Sequence, residues 1–453
     1  PIPSDRFPLV PMTMSIGMIL DAARELRPGR VAVAIERVRA WRWMQIEEPI
    51  EVEIDAEVVE EDLVKVSIDG YIEGSVRFAD AYEPAPQAKA LPLEDTAPVG
   101  LTPPEIYGGR WMFHGPAYHA VSGLSSIGSD GMDGRIVRSA GEGSLLDGAG
   151  QLFGLWISRS FTDDRMALPV RVGEIRFYAP EPEVGEELDC SIRITEHDDR
   201  KVVGDFELSA DGVVWAEVLD WEDRRFESDE VQWPVICHPE SNALAAPHPA
   251  VAGSAWMPTP YSKTATRDYF ARRYLDAEAL AEYREMNPKR QTDWLAGRIA
   301  AIDAVRHLLW AEGAKDLFPI EVQIRNDEEG RPFVSTHPDL HISLSHSSGA
   351  GLAKVSREHP VGLDLEPVAS RPDTLIRTAF SDEDLSHLPS GCDRDEWITR
   401  LWCAKEARAK QTGEGITQPK SLHITAIEGE TVFVDEVPIE TSLHEGWIIA
   451  TTS

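Results

Sequence analysis

Pro360-Val-Gly-Leu-Asp-Leu-Glu-Pro367 reads as a short strand carrying two acidic side chains, Asp364 and Glu366. Successive strand residues point to opposite faces, so both carboxylates face the same way. Trp402-Cys-Ala-Lys-Glu-Ala-Arg-Ala-Lys410 follows and reads as a helix, with Lys405 beside Glu406 and Lys410 four residues beyond it. Three carboxylates supply hard oxygen donors of the kind Mg²⁺ takes, alongside waters and substrate phosphates. The two lysines offer charge for phosphate oxygens that the metal does not reach.

These two segments resemble the signatures of surfactin-type 4'-phosphopantetheinyl transferases, G-[IV]-D-[IVL]-E and [FW]-[ST/C]-x-K-E-[AS]-x-x-K. Further matches lie upstream in the family's order: Trp294-Leu-Ala-Gly-Arg-Ile-Ala-Ala301, Gly330-Arg-Pro332 and His341-Ile-Ser-Leu-Ser-His-Ser347. The resemblance runs from about Tyr261 to the C-terminus. It implies a pseudo-twofold α+β domain that moves the phosphopantetheine arm of coenzyme A onto a serine of an acyl carrier protein. It also implies Mg²⁺ held by Asp364, Glu366 and Glu406, with Glu406 as the base for the serine hydroxyl. Lys405 and Lys410 would meet phosphate oxygens, and Ser345, His346, Arg298 and Arg331 the 3'-phosphate region. The chain departs from the family at Ile302-Asp303, where a basic residue is common. A carrier protein presents an acidic helix, so Arg267, Arg272, Arg273, Lys289 and Arg290 are candidates for a basic docking face.

Composition bounds the rest. The chain has 453 residues, with 78 acidic against 44 basic side chains and a formal charge of −34. That balance disfavours nucleic acid as a partner, because phosphate backbones need a basic footprint. The length suits two or three domains. No apolar run is long enough to span a membrane, and no secretory leader is evident. Cys190, Cys237, Cys392 and Cys403 lack metal-ligand spacing and read as reduced thiols of a cytoplasmic protein. The first residue is Pro1, which suggests a piece of a larger polypeptide.

The N-terminal half repeats one pattern. A helical stretch, Met14 to Leu26, precedes strand candidates Arg30–Val38, Ile50–Val59, Val64–Ile72 and Gly74–Ala79. A second apolar helix, Ser144–Ser158, precedes Val170–Tyr178, Glu187–Thr195, Lys201–Ser209 and Gly212–Leu219. One helix wrapped by antiparallel strands, twice over, predicts a double hotdog. The expected fold class is therefore α+β: a double hotdog over residues 1–230, a Pro- and Ala-rich linker over 231–260, and the transferase over 261–453.

This half resembles the dehydratase domains of type I polyketide and polyunsaturated fatty acid synthases. Phe113-His-Gly-Pro-Ala-Tyr-His119, Ser144-Leu-Leu-Asp-Gly-Ala-Gly-Gln151 and Leu168-Pro-Val-Arg-Val-Gly173 carry the likeness. It implies an acyl thioester substrate, Asp147 as the acid for a departing hydroxyl, Gln151 holding that carboxyl, and Gly115 and Tyr118 shaping the acyl tunnel. The family's base is a histidine of the first hotdog, and no histidine precedes His114 here. His114 and His119 stand as substitutes. Otherwise the family's histidine lies upstream of Pro1 in a longer parent, or the hotdog half is a non-catalytic scaffold that dimerises or holds acyl chains; hotdog domains often pair as homodimers. An N-cap role for Asp147 is a further reading.

Overall fold

The computed structural model describes residues 9–46, 49–89, 92–258, 261, 263–413, 415–416 and 418–452. The chain divides after Trp233 into two compact units. None of the described helices is long and apolar enough to cross a membrane.

The first unit opens with α1 (Met12–Glu25), whose Met12, Ile16, Ile19 and Ala23 fall at helical spacing and are buried. Strands β1 (Val31–Ala40), β2 (Ile54–Glu60), β3 (Leu63–Ile68) and β4 (Ile72–Ala79) follow. After α2 (Pro103–Gly108) come β5 (Val121–Gly128) and β6 (Gly131–Val137), then α3 (Ser144–Ser160). The unit ends with β7 (Met166–Phe177), β8 (Glu187–His197), β9 (Lys201–Ala210) and β10 (Val213–Phe226). Ten strands form one antiparallel sheet in the order β2-β3-β4-β1-β7-β10-β9-β8-β6-β5. The seam between the repeats is β1 on β7, with Ala34 opposite Arg176 and Val38 opposite Val172. α3 is buried almost all round, as a helix enclosed by a curved sheet must be, and α1 packs in the matching place on the first repeat. This is the double hotdog expected from the sequence. The β5–β6 hairpin was not foreseen, because Val121-Ser-Gly-Leu-Ser-Ser-Ile-Gly128 lacks apolar alternation.

α4 (Gln232–Cys237) carries the chain across the boundary into β11 (Ala246–Pro247) and β12 (Ser254–Met257). The second unit continues with α5 (Thr264–Tyr274), α6 (Ala277–Glu285) and α7 (Pro288–Ala311). Next come β13 (Ile324–Asn326), β14 (Pro332–Val334), β15 (His341–Ser347), β16 (Ala350–Ser356) and β17 (Leu363–Pro367). α8 (Asp373–Ala379), α9 (Asp382–Ser386) and α10 (Arg394–Thr412) precede β18 (Ile424–Glu428), β19 (Thr431–Val434), β20 (Val437–His444) and β21 (Trp447–Thr452). Two main sheets result, β11-β12-β16-β15 and β17-β21-β20-β19-β18, beside a two-stranded β13–β14. Each main sheet carries one long helix, α7 on the first and α10 on the second, and β15 lies against β17.

Both helices approach their sheets at a glycine. A Cβ on Gly351 would stand 2.3 Å from the Ala296 carbonyl of α7, and one on Gly362 only 1.9 Å from the Ala407 carbonyl of α10. The expected linker proves otherwise. Val251, Ala255, Trp256 and Met257 are buried, and β12 pairs with β16, Trp256 opposite Leu352. Prolines and alanines there shape a short strand of the second unit's core; they do not mark a free tether.

Candidate functional site

The period of two works on a pair of strands at once. Ser345 and Ser347 of β15 meet Asp364 and Glu366 of β17, residue for residue: Ser345 Oγ donates to Asp364 Oδ1 at 2.8 Å, and Ser347 Oγ reaches Glu366 Oε2 at 3.5 Å. Lys410 Nζ from α10 donates to the same Asp364 Oδ1 at 2.7 Å, and Arg371 Nη2 to Glu366 Oε2 at 3.1 Å. Asp364 is 4% exposed, yet its Oδ2 is buried with no partner. A buried acceptor left open is costly unless a ligand completes it. Glu406 completes the group. Burial, and then the neighbouring Asp364 charge, push its carboxyl up to about 7; Lys410 pulls the other way and Glu366 adds to the rise.

Among the described residues no three acidic, His or Cys side chains close into a ready-made metal cage. Mg²⁺ does not require one, since it keeps waters and binds through one or two carboxylates plus phosphate oxygens. The open Asp364 Oδ2 and the mutually repelling Asp364, Glu366 and Glu406 charges fit such a cation.

His346, one residue along from Ser345, lies against Gly297 of α7. Crowding by surrounding atoms pushes its imidazole below the usual range; Asp293 opposes this, and Lys410, Arg298 and Arg290 add to it. Those three cations make the neighbourhood of His346 positive. Arg298 is buried, stacks 4.8 Å over Trp294, donates through Nη2 to Asn326 and keeps Nη1 buried without a partner. Arg331 is exposed and donates through Nε to the Gly413 carbonyl just past α10.

Several expectations need correction. Lys405 is fully buried and spends its ammonium on Asp384 Oδ2 (2.9 Å) and on the carbonyls of Ala379 and Pro419, so it cannot meet a phosphate. Neighbouring helix residues point about 100° apart, so Lys405 and Glu406 cannot both face one site, whereas Lys410 shares Glu406's side. The Ser345 hydroxyl is committed to Asp364, not to a phosphate. Asp303, where the chain departs from the family's pattern, has no exposure: it accepts from Arg306 at 2.6 Å, from Tyr274 and from the N–H groups of Leu244 and Ala245. Its charge fastens the segment before β12. Arg267 and Arg273 are buried too, on Pro288 and Thr292 and on Tyr269 and Ile236 respectively, which removes them from any docking face.

Gly362 positions the β17 carboxylates. Gly362→Ala should force β17 from α10, costing about 1–3 kcal/mol by overpacking. The displacement should also cut any chemistry at Asp364 by up to about 100-fold. Urea unfolding and turnover, measured on the same preparation, check both.

The first unit gathers a second cluster. Asp147, in the first turn of α3, is 8% exposed. Its Oδ1 accepts from Thr13 Oγ1 of α1 at 3.1 Å, and its Oδ2 from Gln151 Nε2 at 2.7 Å, as the sequence suggested for Gln151. Gln151 is held in turn by the Tyr107 hydroxyl at 2.6 Å and by donating to the Tyr118 carbonyl at 2.8 Å. The α3 N-cap is Gly143, so Asp147 is not the cap. Thr13 and Tyr107 were missed because Thr13 stands 134 residues from its partner and neither lies in a recognisable motif.

The folds and these clusters define a class: an α+β protein whose second unit offers carboxylates and cations to an anionic ligand, preceded by a double hotdog with a buried polar network. Residues 360–451 match the 4'-phosphopantetheinyl transferase superfamily, and residues 144–232 match the polyketide synthase dehydratase N-terminal domain. A holo-[acyl-carrier-protein] synthase of Geobacillus kaustophilus is 34% identical over 89 residues, 19% of this chain and 69% of that protein. One from Lactococcus lactis is 36% identical over 101 residues, 21% of this chain and 85% of that protein. The chain belongs to the 4'-phosphopantetheinyl transferase superfamily. It spans about half the length of a Bacillus subtilis 4'-phosphopantetheinyl transferase, 28% identical over 111 residues, 24% of this chain and 49% of that protein. Two solved dehydratase domains are also similar. That of RzxB from Pseudomonas fluorescens has 15% identity and a TM-score of 0.39, covering 48% of this chain and 85% of that one. That of a mycocerosic acid synthase-like polyketide synthase has 17% identity and a TM-score of 0.40, covering 50% and 85%.

Proposed function

We propose that the second unit transfers 4'-phosphopantetheine from coenzyme A to a serine hydroxyl of an acyl carrier protein. The observation that carries this reading is the convergence of Asp364, Glu366, Glu406 and Lys410, with Asp364 Oδ2 left open in a buried site. Asp364, Glu366 and Glu406 would hold Mg²⁺, which when bound offsets the charge of the coenzyme A pyrophosphate. Glu406 takes the proton of the incoming serine hydroxyl as its oxygen attacks the β-phosphorus. The P–O bond to 3',5'-ADP breaks, and Lys410, moving from Asp364 to the pyrophosphate, meets the charge that develops. The open Nη1 of Arg298, with His346 and Arg331, serves the remaining phosphate. Residues 144–232 of the first unit match a dehydratase domain; on a 3-hydroxyacyl thioester Asp147 would be the acid for the departing hydroxyl, with Gln151 holding that carboxyl.

The test is mass spectrometry of an apo acyl carrier protein incubated with this chain, coenzyme A and Mg²⁺. A phosphopantetheine mass gain that disappears when Mg²⁺ is chelated supports the transferase and its metal. Transfer that survives chelation removes the metal from the reading. No gain on any carrier, cis or trans, overturns it.

A further inference from the structure

His114 enters the first unit's polar cluster from the loop before β5. Its Nε2 lies 3.3 Å from Asp147 Oδ2, within reach of a hydrogen bond, and its Nδ1 is buried with no partner. Phe113 stacks on the ring at 4.8 Å, and the His114 carbonyl meets His119 Nε2 at 3.0 Å. His119 in turn stacks on Tyr107 at 3.9 Å. Asp147 therefore faces Thr13, Gln151 and His114 together. The hydroxyl of Thr13 and the amide of Gln151 both donate, which suits an ionised carboxylate and assigns the Nε2–H to the side facing it.

We propose that His114 is the positioning residue for Asp147, the two forming one pair that binds a single proton between them. This rests on reading the first unit as dehydratase-like. The reasoning is one of charge. Without the added proton the pair carries one negative charge in a buried place; with it the pair is neutral, as imidazolium–carboxylate or imidazole–carboxylic acid. Burial favours the neutral pair, so the proton belongs to both groups and not to either alone. The free Nδ1 is the atom at which it enters. The other titratable groups here are His119, Tyr107 and Tyr118, with Glu142 beyond Tyr118. Burial pushes His114 itself down, Asp147 pulls it up and His119 lowers it further, while burial and then the Asp147 charge lie behind the raised Tyr118. The cluster adjoins a cleft of about 190 Å³, whose wall includes Thr13, Ile16, Asp21, Glu142, Leu146 and Trp215. An acyl thioester entering that cleft would bring its polar end to Thr13 and so to the pair.

The experiment uses the full chain in two arms. In the first, ¹⁵N-histidine labelling reads the charge and tautomer of His114 against pH, its signal assigned by His114→Gln. Expected is a His114 that carries only the Nε2 proton at high pH and gains the shared proton at Nδ1 as the pH falls, with tautomer and titration both altered by Asp147→Asn. A His114 signal unmoved by Asp147→Asn overturns the pair. In the second, dehydration of a 3-hydroxybutyryl-pantetheine thioester is followed for the unsubstituted chain, His114→Gln and His114→Asn. Expected is a fall in kcat of about 10- to 100-fold, a KM changed less than about twofold, and a displaced pH profile. A His114→Gln chain with an unchanged profile overturns the positioning role. Absence of turnover by the unsubstituted chain, with the ¹⁵N coupling intact, overturns the dehydratase reading and leaves the proton-sharing pair supported.

Discussion

Asp364→Asn is expected to lower the proposed phosphopantetheine transfer by about 10²- to 10³-fold, the scale of losing one preorganised electrostatic contact in a buried site. The substitution is chosen because it removes little else. An asparagine has nearly the same shape, and its amide oxygen still accepts from Ser345, so β15 and β17 remain fastened. What disappears is the negative charge facing Glu406 and the unpaired Oδ2, the atom most available to a cation. Lys410 loses its ionic partner but is only partly buried and can turn toward solvent, so the stability change should stay near 1 kcal/mol. The comparison to make is turnover against unfolding. A large drop in transfer with an almost unchanged unfolding midpoint places Asp364 in the chemistry. Equal losses in both would make it a fastener of the two halves, and a full-rate variant would remove it from the site altogether.

The sequence disclosed those parts of the site that obey a short period. Asp364 and Glu366 share a strand face because they are two residues apart, and Glu406 and Lys410 share a helix side because they are four apart. The same rule, applied to Lys405, already argues that it points away from Glu406. Both hotdog helices were legible from their apolar spacing, and their strands from alternation. Less was legible where the stabilising partner lies far along the chain. β12 is only four residues long and sits among prolines and glycines, so its identity as a strand rests on β16, about a hundred residues later. The β5–β6 hairpin is Gly- and Ser-rich and is held by β8, whose pairing no local pattern announces. The His114–Asp147 contact has the same origin: a loop residue and a helix residue are joined by the packing of the hotdog. Asp303 shows the reverse case, where departure from a family pattern turns out to be a buried structural device.

Lys405→Met is expected to destabilise the second unit by about 3–5 kcal/mol, the usual result of removing one member of a buried ion pair. The methionine keeps most of the stem volume, so the loss isolates the ammonium. Three acceptors are left behind: Asp384 Oδ2 and the carbonyls of Ala379 and Pro419. Asp384 matters most, being 1% exposed. Burial works against its carboxylate, yet the Ser381 N–H, the Lys405 ammonium and the Ile424 N–H hold it below the usual range. Lys405 is itself pushed down by burial against the pull of Asp384, which is the mark of an ammonium far from bulk water. Through these bonds it ties α10 to the start of α9 and to the turn before β18, bracing the helix that carries Glu406 and Lys410. Hydrogen exchange of the α10 amides across a urea series reads the loss in the unit concerned, and transfer per folded molecule should remain near that of the unsubstituted chain. A Lys405 that touched coenzyme A would give the opposite pair of results, an intact α10 and a large fall in turnover. That outcome would return Lys405 to the phosphate site.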